Sequence, residues 1–188
     1  MKEKIALIDA DSLIYFEMGK PTLEEAISGI DERIKHILNQ CNTTKYIGFL
    51  TIGRCFRYNI ATIKDYKYNR KGGKPKPPIF YALKEYIKQK WNFLYVKELE
   101  ADDLVALYQN YYGKENTVIC SPDKDVLKQL EGTHYNYSKA EHIVTTRNDA
   151  QNFLLTQMLM GDPTDGIPGM PKVGPKTAEK WVTEEPTV

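Results

Sequence analysis

At 188 residues, 41% hydrophobic and 27% charged, the chain is long enough to bury a core of its own and falls in the ordinary globular range. Its apolar runs, such as Ile5 to Ile8 and Ile47 to Leu50, fall far short of the ~20 residues of a membrane span. Asp9 interrupts the amino terminus before a secretory signal could form, so the expected compartment is the cytoplasm. Three widely spaced cysteines, Cys41, Cys55 and Cys120, suggest neither a disulfide framework nor a zinc knuckle, and no redox chemistry is expected of them. The net charge of +1 conceals a segregation: residues 54–90 hold 11 Lys or Arg against Asp65 and Glu85, a local +9, which leaves −8 on the rest. Such an asymmetry points to a polyanionic partner for the basic stretch and a cation requirement for the acidic remainder, the plain alternative being a solvated charged face.

In chain order, KIALIDAD reads as a buried strand ending at Asp9, and Ile27, Ile30, Ile34, Ile37 and Leu38 recur at helical spacing within 23–38. KYIGFLT is a second strand. A basic helical stretch through Arg70 and a Gly/Pro linker, KGGKPKPP, precede a helix from Ile79 to Lys90. NFLYV reads as a strand, LVALYQNYY as part of a helix, TVICS as a strand and DVLKQL as a short helix. This alternation predicts an α/β fold with a mostly parallel sheet flanked by helices. HYNYS and HIVTT form an expected terminal hairpin, NDAQNFLLTQMLM a helix, and GDPTDGIPGMPKVG a punctuated turn before a last helix, KTAEKWV. The core, with its basic segment 54–90, is expected to span 1–147, and a second element 148–188.

Ligands of a parallel sheet gather beyond the carboxyl ends of its strands. Asp9 and Asp11 follow the first strand, Glu100, Asp102 and Asp103 follow NFLYV, and Asp123 and Asp125 follow TVICS. Each group alone is compatible with helix capping, but seven carboxylates converging from three strand ends would repel one another unless cations were bound. Oxygen ligands suit hard ions, Mg²⁺ first, because His36, His134 and His142 lie at no zinc spacing. Asp162 and Asp165 add two acids from a turn whose spacing fits no EF-hand, and Pro175 stands where a P-loop needs its lysine. The glycines of that turn, Gly166, Gly169 and Gly174, with Lys172 and Lys176, suit backbone and helix-terminus contacts to phosphate.

LIDAD, DYKYNR, LEADD, SPDKD and MGDPTDGIPGMPKVGPKTAEK, in that order, resemble the motifs of the 5′-to-3′ exonuclease and flap endonuclease family of PIN-like nucleases, most of all the exonucleases of short-tailed bacteriophages. The resemblance covers nearly the whole chain. It implies a basic arch over the active site and a C-terminal helix-hairpin-helix element. It makes Asp9, Glu100, Asp102, Asp103, Asp123, Asp125, Asp162 and Asp165 metal-binding acids, with Asp11 a further candidate. Lys67 and Arg70 match catalytic basic residues at the arch base, and Tyr66 an aromatic position that stacks on a base. Tyr58, Tyr66 and Tyr68 all lie in the basic segment, and at least one is expected in the core. Gly166, Gly169, Lys172, Gly174, Lys176 and Thr177 match positions of the DNA-gripping hairpin, which in the family often holds potassium. The implied chemistry is hydrolysis by two Mg²⁺ ions, replaceable by Mn²⁺, of duplex, 5′-flap or RNA-primed DNA, by a monomer and away from membranes. A PIN-type ribonuclease and a non-catalytic structure-specific DNA-binding protein are the alternatives. The chain departs from the pattern after its second strand, where Leu50, Thr51, Ile52 and Gly53 contain no acid; Thr51 aligns best with the missing ligand, and Asp11 is the nearest compensating acid.

Overall fold

The computed structural model describes residues 3–70, 72 and 75–184, excluding the Arg70 side chain. In chain order it contains β1 (Ile5–Asp9), α1 (Asp11–Glu17), α2 (Leu23–Gln40), β2 (Tyr46–Phe49), α3 (Arg57–Ile60), α4 (Pro78–Lys90), α5 (Ala101–Tyr112) and β3 (Thr117–Cys120). It continues with α6 (Lys124–Gln129), β4 (Gly132–Asn136), β5 (Glu141–Thr145), α7 (Arg147–Met160), β6 (Gly161–Asp162), β7 (Ile167–Pro168) and α8 (Pro175–Thr183).

Strand order in the main sheet is β2-β1-β3-β4-β5; the first four strands run parallel, and β5 returns antiparallel to β4 as the expected hairpin. Side chains of β1 alternate between two cores, as a strand's period of two requires. Ala6 and Ile8 pack under α1, α2 and α4 with Ile30, Ile34, Leu83 and Ile87, whereas Leu7 packs under α5 with Leu104, Val105 and Ile119. Both faces are covered, which explains why β1 and β3 are almost continuously apolar. Each fully buried leucine or isoleucine here is worth about 2–5 kcal/mol on truncation to alanine. No described helix is long and apolar enough to cross a membrane.

NFLYV is the main misreading. It forms no strand, only a single parallel bridge from Leu94 to Phe49, with Phe93 packed over Gly48, where a Cβ would lie 2.2 Å from its ring. The acids that follow it therefore start from a helix rather than a strand end. The basic stretch expected as helix is only the four-residue α3 and a 3-10 turn at Tyr68–Arg70, and part of the 71–78 linker lies outside the described residues. A short helix, α1, separates β1 from α2 and was not anticipated. The distant cysteines also meet: Cys41 and Cys120 are free thiols with sulfurs 3.4 Å apart.

Candidate active site at an acidic cavity

Carboxylates reach one cavity of about 350 Å³ from four places in the chain. Asp9 ends β1 and Asp11 opens α1, Glu100 and Asp102 begin α5, Asp123 and Asp125 begin α6, and Asp162 and Asp165 lie on the turn after α7. Eight of the nine acids named from the sequence thus share a wall, while Asp103 faces the adjoining cavity with Arg57 and Tyr66. Capping does part of the placing: Glu100 and Asp103 form a reciprocal box at the start of α5, and Asp123 accepts from the Asp125 N–H at 2.8 Å at the start of α6. A helix start favours negative charge, so the same residues stabilise their helices and line the cavity.

The acids carry protein partners. Asp9 accepts from the Ser121 hydroxyl at 3.0 Å, and Asp11 from the Thr51 N–H at 3.1 Å. Glu100 accepts from Lys67 Nζ at 2.7 Å and from Arg57 at 3.1 Å, and Arg57 also forks onto both oxygens of Asp103 at 2.8 and 2.5 Å. Asp125 and Asp162 both accept from the Gln157 amide, at 3.0 and 3.2 Å. Two motifs far apart in sequence interlock. The Lys67 N–H donates to the Asp165 carbonyl at 3.0 Å, the Asn69 amide donates to the carbonyls of Pro163 and Thr164, and Gly166 lies against Tyr68. Gly166 is required there twice over, since its φ is +76° and a Cβ would sit 2.5 Å from the Tyr68 ring.

Several expectations need correction. Tyr66 is only 7% exposed; its hydroxyl lies 2.7 Å from Glu100 and 2.9 Å from Asp165, so it is a strut between two acids, not an open face for a base. Gly166 is buried against Tyr68 and the half-exposed Gly169 packs on the Met160 backbone, so neither position has room for a side chain. Gly174, by contrast, has open space around it at the N-cap of α8, and Lys172, Lys176 and Thr177 are exposed beside it. The Arg70 side chain lies outside the described residues. Of the four residues where an acid was sought, Leu50 is fully buried in the core while Thr51 and Gly53 line the cavity, and of these two only Thr51 carries a side chain there. Sequence reasoning missed Arg57, Lys84 and Ser121. Lys84 donates to the Thr51 carbonyl, but as one of eleven cations in 54–90 it carried no distinguishing pattern.

Among the described residues, no three His, Cys, Asp or Glu side chains stand as a ready-formed metal cage. The donor set nevertheless fits a hard divalent ion, being all carboxylate and short of positive charge. Burial, then the charges of Asp11 and Asp102, pushes Asp9 well above the usual carboxylate range despite the Ser121 bond. Burial, then Asp103 and Glu100, pushes Asp102 up to about 6. Burial also raises Asp11 and Asp125. Glu100 goes the other way: burial would raise it, but the Lys67 and Tyr66 bonds and the Arg57 charge outweigh burial and hold it low. A cation among the raised acids would relieve their repulsion.

No family model matches the chain. It is 27% identical over 201 residues to a 5′-3′ exonuclease of Buchnera aphidicola from Schizaphis graminum, covering 94% of the chain and 69% of that protein. It is 31% identical to the 5′-3′ exonuclease of Buchnera aphidicola from Acyrthosiphon pisum (85% and 59% covered) and 32% identical to the exodeoxyribonuclease of Enterobacteria phage T3 (64% and 41% covered). The chain thus spans between two fifths and seven tenths of the length of these relatives. Among solved structures, the bacteriophage T5 flap endonuclease in a complex with DNA and metal ions superposes with a TM-score of 0.75 at 20% identity, covering 95% of this chain and 74% of that one. A flap endonuclease from Methanococcus jannaschii superposes with a TM-score of 0.62 at 16% identity (96% and 71% covered), a likeness of fold. Ordered motifs, acidic cavity, fold and relatives all liken the chain to 5′-to-3′ exonucleases and flap endonucleases.

Proposed function

We propose that the chain is a divalent-metal-dependent 5′ nuclease that hydrolyses phosphodiester bonds at or near a 5′ end of duplex, 5′-flap or RNA-primed DNA, acting as a monomer. The observation that carries this reading is the gathering of eight carboxylates from four chain segments around one cavity that also receives Lys67. Asp9, Asp11, Glu100, Asp102, Asp123, Asp125, Asp162 and Asp165 would hold the metal, with Asp103 acting through Arg57. Bound there, two Mg²⁺ or Mn²⁺ ions would supply an activated water and stabilise the leaving oxygen. Lys67, held by Glu100, is a fixed positive charge beside the position of the reacting phosphate, and Arg70 is assigned the same role.

The basic segment 54–90 would act as the arch that guides a single strand or frayed end into the cavity. We assign residues 1–147 to the nuclease core and 148–188 to duplex binding, with the turn between α7 and α8 as the helix-hairpin-helix element. Its contacts would come from Lys172, Gly174, Lys176 and Thr177 at the start of α8, with potassium a candidate ion among the turn carbonyls. Digestion of 5′-labelled duplex, 5′-flap and RNA-primed substrates, with and without EDTA, tests the proposal. Short 5′ products that require Mg²⁺ are expected; intact substrate in Mg²⁺, or equal cleavage in EDTA, would refute it.

A further inference from the structure

Among the described residues lining the acidic cavity, Lys67 and Lys84 are the only Lys or Arg, and they bond to different partners. Lys67 serves Glu100 and Asp165. Lys84 reaches in from α4, on the opposite core, and meets the Asp11 corner through Thr51. Every polar group of Thr51 is used there. Its N–H donates to Asp11 at 3.1 Å, its hydroxyl accepts from the Ala101 N–H at 2.9 Å, and its carbonyl accepts from Lys84. The Lys84 ammonium also sits 5.3 Å from the centre of the Phe80 ring, one turn earlier on the same helix, which fixes its approach. The Lys84 charge acts on Asp11 directly, opposing the effect of burial. By contrast, Asp9, Asp123 and Asp162 have no ion pair with a lysine or arginine among the described residues, and Asp102 feels only the charge of Arg57 from the adjoining cavity.

We infer that Lys84 is a resident cation that partly neutralises the Asp11–Thr51 corner, leaving Asp11 a weak outlying ligand and shifting the tightest divalent binding toward Asp9, Asp102, Asp123 and Asp162. The inference rests on the metal-dependent reading given above. A divalent ion placed near Asp11 would face a fixed ammonium group, and like charges across a partly buried cavity repel far more strongly than in water. Lys84 thereby sets where and how tightly metal is held. A strut that merely tied α4 to Thr51 would have no such effect.

Calorimetric titration of Mg²⁺ into the DNA-free protein separates these roles without measuring activity. Lys84→Gln keeps a donor for the Thr51 carbonyl but removes the charge; it is expected to bind Mg²⁺ about tenfold more tightly than the natural protein or to take up an additional ion. Lys84→Arg is expected to match the natural protein, and Lys84→Met to repeat the Gln result should that variant fold poorly. Unchanged or weaker Mg²⁺ binding in both neutral variants, with Asp123→Asn weakening binding as the nuclease reading requires, would overturn the role of Lys84 and leave that reading standing. Mg²⁺ binding indifferent to Asp123→Asn would overturn both.

Discussion

The acidic cavity and the start of α8 both concentrate charge, yet they handle it in opposite ways. In the cavity, the carboxylates other than the exposed Asp123 are half-buried or buried, and hydrogen bonds such as Lys67 to Glu100 and Ser121 to Asp9 fix their positions, so their charges are felt strongly. At the start of α8, Lys172 and Lys176 stand exposed on a turn. Buried charge is specific and costly, suited to chemistry at one point; exposed charge is screened and additive, suited to holding a polyanion without reading its sequence. The contrast explains why the turn between them needs an enclosed glycine. Gly166 locks that turn against Tyr68, while Gly174, at the far end, stays open.

This comparison is sharpened most by removing one cavity acid. Asp123→Asn is expected to lower the cleavage rate by roughly 10³-fold or more while DNA binding holds or tightens, because metal affinity falls as repulsion toward phosphate is relieved. Single-turnover cleavage and a binding isotherm on the same substrate check it. Lys67→Ala should slow the chemical step by roughly 10²-fold with little change in affinity; an effect confined to affinity would move Lys67 to the side of additive charge. Gly166→Ala, at positive φ and against an aromatic ring, should destabilise the fold by about 1–3 kcal/mol in a denaturant melt. The Lys172→Ala, Lys176→Ala double variant should weaken duplex binding about equally for all sequences and flatten the salt slope by roughly two units. An unchanged slope would make the start of α8 a structural turn only.

The mildest test is pH. Asp102 in the folded protein protonates near 6, above the ordinary carboxylate value near 4, so between those values the native state holds more protons than the unfolded one. The stability this contributes is present at low pH and is lost as pH rises through that window, with Asp9 acting in the same direction. By these acids, metal-stripped protein should therefore melt at a lower temperature at pH 7 than at pH 5, and Mg²⁺ should recover more stability at pH 7. A melting temperature that Mg²⁺ raises equally at both pH values would count against crowded acids as the metal site.

The sheet, its hairpin, α2, α4 and the acids were legible because periodicity and strand-end position are local signals. Partnership is not local. Nothing in NFLYV reveals that Phe93 packs on Gly48 or that only Leu94 bridges to β2. Which of eleven cations enters the cavity is likewise decided by the packing of α4 on α1 and α2, which puts Lys84 beside Thr51. Tyr66 shows the same limit: its motif marks it as part of the site, but only the positions of Glu100 and Asp165 show what its hydroxyl bonds to.

The central claim is that the acidic cavity holds the divalent ions. Anomalous diffraction from a crystal soaked in Mn²⁺ tests it most directly. The account predicts anomalous peaks within the cavity, bounded by Asp9, Asp102, Asp123 and Asp162, that vanish or weaken in Asp123→Asn. Full occupancy at a site elsewhere on the molecule, with none in the cavity, would contradict it.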